Sequence, residues 1–261
     1  LRDRLSKSAV SELAPLTFSE DLSFWECENF VLETAVTKHD FAYWAAHVLY
    51  LQLYFDKSDD HYSSKEEFPK LKQIILDGLE HHGFTQQYAE IDLCSTEAEL
   101  NKTVIQQYTD ETPLYSKVNS LLRMGNLGND VGGDPLIPWV LHLNAILRKE
   151  EEYLGTVYRG AQLSKNDLDK YVIGHQFVWS SFTSVSKTEA NCLGGNVIFK
   201  IVPKSSLSTY GKRAARVINQ YSFFPEEEEA LLPIGCAFRV ESNKETKSGK
   251  YEIELALYDH L

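Results

Sequence analysis

Apolar positions recur at helical spacing in the first part of the chain. Phe41, Trp44, Ala45, Val48 and Leu49 form one such stripe, and Phe68, Leu71, Ile75 and Leu79 form another after a polar connector, DKSDDHYSSKEE. Asp40 is suited to cap the first of these helices, and Gly83 to stop the second. The helical pattern continues through NKTVIQQYTD, LYSKVNSLLRMG and LIPWVLHLNAILRKEEEYL. Trp25, Trp44 and Trp139 fall within this text and are expected in its core.

After Gly155 the pattern changes to short, alternating, β-branched and aromatic runs: GTVYRG, HQFVWSSFTSVS, NVIFKIV, ARVI, EALLP, CAFRVES and YEIELALY. Turn residues separate them. The expectation is an α+β protein, with a helical N-terminal half followed by a mostly antiparallel strand-rich half. Residues 1–100 are expected to form a helical region of unassigned role, and residues 101–261 the domain that carries the chemistry.

Composition narrows the function. Twenty-six Lys and Arg against 38 Asp and Glu give a net charge of −12, which repels phosphate backbones and anionic lipid at long range. Neither nucleic acid nor a membrane surface is therefore expected as a partner. Lys200, Lys204, Lys212, Arg213 and Arg216 form the one noticeable basic cluster and read as a solvated face. No apolar run is long enough to span a bilayer. The opening LRDRLSKSAV lacks the apolar core of a secretory signal and an initiator Met. The four cysteines are far apart and lack metal-ligand spacing, so reduced thiols in a soluble, cytosolic protein are expected, with no metal and with secretion left open. The adjacent His81 and His82 read as surface residues. GNLGNDVGGDP lacks the spacing of a phosphate loop and reads as a plain connector.

Three features of the strand-rich half carry candidate chemistry. Arg159 ends a strand-like run and is followed by Gly160; a guanidinium there can grip phosphate, and glycine lets a ligand approach the backbone. Phe182-Thr183-Ser184-Val185-Ser186 places alternating hydroxyls on one strand face. Pro225 and the four glutamates Glu226–Glu229 lead into Ala230-Leu231-Leu232-Pro233. In an extended chain Glu227 and Glu229 share a face, as do Glu226 and Glu228; the apolar strand after Glu229 favours the first pair. Trp179 lies close enough to Ser184 to form a cleft wall, whereas His175, upstream of the serine motif, reads as a satisfied or exposed strand histidine rather than a cleft residue.

The order Arg-Gly, Phe-x-Ser-x-Ser and Glu-x-Glu before an apolar strand resembles the active site of arginine-specific mono-ADP-ribosyltransferases of the Arg-Ser-Glu class. Tyr108-Thr109-Asp110 with LYSKVNSLLR, then NVIFKI, INQYSFFPEEEEALLP and CAFRV, follow the order of that family over roughly residues 105–258. The resemblance implies a split, mostly antiparallel β-sandwich core that takes NAD as substrate and passes ADP-ribose to an arginine of an acceptor protein. It implies that Arg159 holds the NAD phosphates, with Gly160 beside the nicotinamide amide. Ser184 orients the catalytic carboxylate of Glu229, and Glu227 assists the acceptor guanidinium. Phe182 and Ser186 complete the NAD-binding set, with stacking on nicotinamide left to Phe182, Trp179 or another ring. Where many relatives carry a stacking aromatic after the serine motif, this chain has Leu193. The same Arg, Ser and Glu would serve an NAD glycohydrolase, and a non-catalytic binding module on the same fold is the alternative outside enzymology.

Overall fold

A computed structural model describes residues 68–110, 112–123, 134–179, 181–191, 194–204, 214–222 and 228–258, together with the backbone of 16–17 and 23–26. The helix expected over 41–49, with its Asp40 cap, lies outside these residues, as do Trp44 and most of the glycine-rich connector.

Among the described residues five helices belong to one compact unit, which takes in His47–Lys149 and, from farther along the chain, Tyr221–Phe223. They are α1 (Phe68–His81), α2 (Thr85–Asp92), α3 (Glu97–Thr109), α4 (Pro113–Arg123) and α5 (Ile137–Leu147). The apolar spacing of α1 buries Leu71, Ile75, Leu76 and Leu79. Gly83, at φ 72°, ends that helix as its position suggests. Thr96 and Glu99 close a reciprocal cap on α3. Helix α5 is the most apolar of the set and packs on α1 and α3. Trp139 is fully buried and donates its indole N–H to Gln107 Oε1 at 3.2 Å. Gly78 permits the close approach of α1 to the start of α5: a Cβ there would stand 2.2 Å from the Pro135 carbonyl oxygen.

The second unit takes in Glu150–Gln220 and Phe224–Leu261, together with Pro15–Ala46, which supplies β1 (Leu16–Thr17) and β2 (Ser23–Glu26). The remaining strands are β3 (Glu152–Tyr153), β4 (Val157–Ala161), β5 (Gln176–Trp179), β6 (Thr183–Ser186), β7 (Val197–Pro203), β8 (Ala215–Val217), β9 (Glu229–Leu232), β10 (Cys236–Glu245) and β11 (Tyr251–Tyr258). A one-turn helix, α6 (Lys165–Leu168), follows β4. Among the described residues the strand order is β1-β2-β5-β10-β11-β7-β4-β6-β9-β8-β3. All pairings are antiparallel except β7 with β11.

Every strand-like run after Gly155 becomes a strand, so the helical-then-antiparallel expectation holds. Two details were not legible. Strands β1 and β2 come from the region read as helical, and β3 comes from the glutamates read as a continuation of α5. Glu152 is drawn into the sheet opposite Arg216, whose guanidinium bonds it at 2.9 Å.

Strands β4 and β6 join at a single position, Tyr158 opposite Ser186. There the sheet parts into two blades, one from β1 to β4 and one from β6 to β3. Behind β4, Tyr171, Phe177, Trp179, Phe199 and Phe238 pack with ring centroids 4.5–6.0 Å apart. This aromatic cluster forms the centre of the unit's core and the rigid backing of the parting.

Candidate active site

Arg159 belongs to the face of β4 that carries the buried Val157 and Ala161, beside Phe199 of β7. Its stem therefore lies against the core, and only its head reaches the parting. Nη1 donates to the Ser184 carbonyl at 2.9 Å, across the opening between β4 and β6. The guanidinium thus replaces a backbone bond that the diverging strands do not make. Its Nε is buried without a protein partner. An unsatisfied charged donor is costly, and a phosphate oxygen is the acceptor for which arginine's fork is shaped. Gly160 follows with no side chain, which leaves the backbone at the opening uncovered.

Ser184, Ser186 and Glu229 come together through the β6–β9 ladder. Ser186 stands opposite Glu229 and Ser184 opposite Leu231, so both hydroxyls share a face with the Glu229 carboxylate. Thr183, Val185, Ala230 and Leu232 occupy the other face and are buried. Ser184 and Glu229 are diagonal neighbours, for which Cβ atoms lie roughly 7–8 Å apart, within reach of a glutamate side chain. Both are half-buried at the entrance of their strands. Three residues separated by up to 70 positions thus meet where the blades part.

Glu227 lies outside the described residues, as do Glu226 and Pro225. Glu228 has φ 50°, in the left-handed region, so the place of Glu227 relative to Glu229 is not read from strand alternation.

Phe182 is 2% exposed and Ser186 is 7% exposed, so the structure offers little of either to solvent. Trp179, expected as a cleft wall, is instead a core residue at 1% exposure, ringed by Phe177, Phe199 and Phe238. His175 sits in the turn before β5, where its carbonyl accepts from Val240 N–H. Leu193 lies outside the described residues. Nearby, Gly195 has φ 106°, and a Cβ there would meet the Ala161 carbonyl oxygen at 2.1 Å. This glycine permits the loop to press on the end of β4.

Tyr171 was missed by sequence reading. Burial pushes its phenol well above the usual range, and the Trp179 side chain and the Arg159 charge pull in the opposite direction. Tyr171 is fully buried against Phe177 of β5 and Phe199 of β7. No local sequence signal marks it, because that packing depends on strands distant in sequence.

The basic cluster does not form one patch. Lys200 pairs with Glu254 at 3.0 Å, and that carboxylate's hydrogen bond raises the lysine's pKa. Lys204 approaches Glu241 at 3.8 Å. Arg216 is buried rather than solvated, and it also donates to the Glu150 carbonyl at 3.1 Å. Lys212 and Arg213 lie outside the described residues. His82 is engaged by Asp134 at 2.7 Å. Among the described residues no group of three His, Cys, Asp or Glu side chains could hold a metal ion, and no helix is long and apolar enough to cross a membrane.

Comparison with known proteins places this geometry in context. The family model described as NAD:arginine ADP-ribosyltransferase matches residues 90–260. The Mav protein of Mycobacterium avium (strain 104), named for NAD(+)--arginine ADP-ribosyltransferase activity, is 31% identical over 148 residues. That match covers 55% of this chain and 16% of Mav, so the chain spans a small part of that relative's length. Among solved structures, the ADP-ribosyltransferase HopU1 of Pseudomonas syringae pv. tomato DC3000 superposes with a TM-score of 0.57 at 19% identity. The superposition covers 76% of this chain and 99% of HopU1. An ADP-ribosyltransferase of Clostridium botulinum gives a TM-score of 0.50 at 15% identity, over 69% of this chain and 94% of that one. These likenesses establish a shared fold.

Proposed function

Because this chain belongs to the NAD:arginine ADP-ribosyltransferase family, we propose that it transfers ADP-ribose from NAD to an arginine side chain of an acceptor protein, releasing nicotinamide. The observation that carries this reading is the Arg159–Ser184 bond across the parted strands, with Glu229 on the Ser184 face of the same ladder.

In this reading Arg159 is the phosphate anchor. Its orphaned Nε and the rest of its fork offer charge-assisted donors where the sheet opens, and the Ser184 carbonyl fixes the orientation of that fork. Gly160 leaves room for a ligand against β4. The Ser184 hydroxyl orients the substrate's ribose and the Glu229 carboxylate. Ser186 on β6 and Phe182, immediately before that strand, complete the proposed NAD-binding set as backing residues with little side chain exposed.

NAD supplies a glycosidic bond whose cleavage develops positive charge on the ribose. Glu229 is the fixed countercharge for it. A preorganised group of this kind is worth about 3–4 kcal/mol. Nicotinamide leaves as a neutral molecule, so its departure calls for no general acid. The acceptor is the harder partner, since a guanidinium stays protonated and is a poor nucleophile. Glu227 fills the role of orienting it and taking its proton.

We assign the transferase domain to residues 101–261, a reading supported by the family match over residues 90–260, and a separate role to residues 1–100, which also supply β1 and β2 to the strand-rich unit. The buried thiol of Cys94, outside any disulfide, supports a soluble protein of a reducing, cytosolic compartment.

Incubation with labelled NAD and agmatine, a small guanidine, tests the reading. Labelled agmatine together with released nicotinamide is the expected result. Nicotinamide release with water as the sole acceptor would replace arginine transfer by NAD hydrolysis, and no consumption of NAD would overturn the enzyme reading.

A further inference from the structure

Glu228 is the one non-glycine residue with positive φ among the described residues, at 50°. Such a conformation is uncommon for a residue with a Cβ and disfavoured relative to the right-handed region. It persists where the surroundings over-determine it, and such residues collect at functional sites. Glu228 sits immediately before Glu229, the first residue of β9. Its side chain is exposed, so packing of the carboxylate does not hold the backbone there.

Its surroundings show what does. Glu229 is paired with Ser186, and the next amide on β6, Lys187 N–H, reaches back to the Glu228 carbonyl at 3.4 Å. On the other edge of β9, Ile218 N–H donates to the Glu229 carbonyl at 3.3 Å. Hydrogen bonds from both sides therefore grip the chain at Glu228 and Glu229, and the left-handed conformation of Glu228 interrupts extended geometry immediately before β9.

We infer that Glu228 is a positioning residue that acts through its left-handed backbone, which starts β9 at Glu229 and fixes that carboxylate beside Ser186, while its own carboxylate is dispensable. The inference rests on the reading of Glu229 as the catalytic carboxylate. It also separates the four adjacent glutamates by role, which the sequence alone leaves open.

The test is a substitution series at Glu228, with steady-state kinetics of NAD cleavage and thermal unfolding of each variant. Glu228→Gly and Glu228→Asn tolerate positive φ and lack the carboxylate. They are expected to keep kcat within about twofold of the parent, with an equal or higher melting temperature. Glu228→Val retains no route to the left-handed region without strain. A displaced Glu229 should lower its kcat about 10–100-fold, while KM for NAD stays within about threefold because Arg159 on β4 is untouched. Glu228→Ala is expected between these. Should the valine variant fail to fold, the comparison of Gly and Asn with Ala remains decisive.

A glycine variant that loses kcat as severely as valine would show that the carboxylate matters and overturn the inference. So would a valine variant with full kcat. If the parent itself consumes no NAD, the catalytic reading fails, and the unfolding order of Gly and Asn above Val still tests the backbone claim by itself.

Discussion

The guanidinium of Arg159 donates to the carbonyl of Ser184 at 2.9 Å, across strands that share only one paired position. One side chain therefore holds the phosphate-binding candidate and the hydroxyl-bearing strand in fixed register. A hydrogen bond from a charged donor contributes about 1.5–3 kcal/mol. The bond closes an opening in the sheet rather than decorating its surface.

Arg159→Lys tests this relationship. A lysine keeps the charge but not the fork, so it cannot hold the Ser184 carbonyl and a phosphate together. KM for NAD should rise about 10–100-fold, with a lower melting temperature as the Ser184 bond is weakened. Unchanged NAD affinity in that variant would remove Arg159 from the anchor role.

Glu227→Gln addresses acceptor choice. It is expected to lose labelling of agmatine while keeping nicotinamide release, since water needs no carboxylate to orient a guanidinium. Equal loss of both activities would show that Glu227 serves bond cleavage as well.

Gly195→Ala probes the loop against β4. With φ at 106° and a would-be Cβ 2.1 Å from the Ala161 carbonyl oxygen, alanine there should cost at least about 1–3 kcal/mol. Chemical denaturation reads this directly. A midpoint equal to the parent's would mean that the loop yields without cost.

His142 sets an acid limit on the helical unit. It is buried on α5 with Nε2 lacking a partner. Burial, aided by the charge of Lys149, pushes its pKa down from 6.5 to about 4. Between those values the unfolded chain binds the proton and the folded chain does not, so stability falls as pH drops through the window. The total effect is on the order of 3 kcal/mol. Denaturation midpoints between pH 7 and 4 should decline in the parent and flatten in His142→Gln. The same slope in both would assign the acid sensitivity elsewhere. Asp134 acts lower down. Burial opposes its ionisation, but the Leu136 amide, His82 and Lys117 outweigh it and lower its pKa, so its contribution is present above about pH 4 and lost below.

Much of the strand-rich half could be read from alternation. Val157-Tyr158-Arg159 and Glu229-Ala230-Leu231-Leu232 declare their buried faces through their own side chains. Other features depend on partners distant in sequence. Arg216 looked solvated because nothing local reveals that Glu150 and Glu152 will meet it. Tyr171 gains its relation to Arg159 only when β4, β5 and β7 assemble. Glu228 offered no warning, since a left-handed turn at glutamate is imposed by the strands on either side rather than by its own preference. For the same reason the place of Glu227 relative to Glu229 is not read from alternation.

The most direct test of the site compares NAD binding and single-turnover nicotinamide release by the parent and by Glu229→Gln. The account predicts that both bind NAD comparably and that release slows about 100–1000-fold in the variant. Equal release rates in the two proteins would contradict the assignment of Glu229 as the carboxylate that drives the reaction.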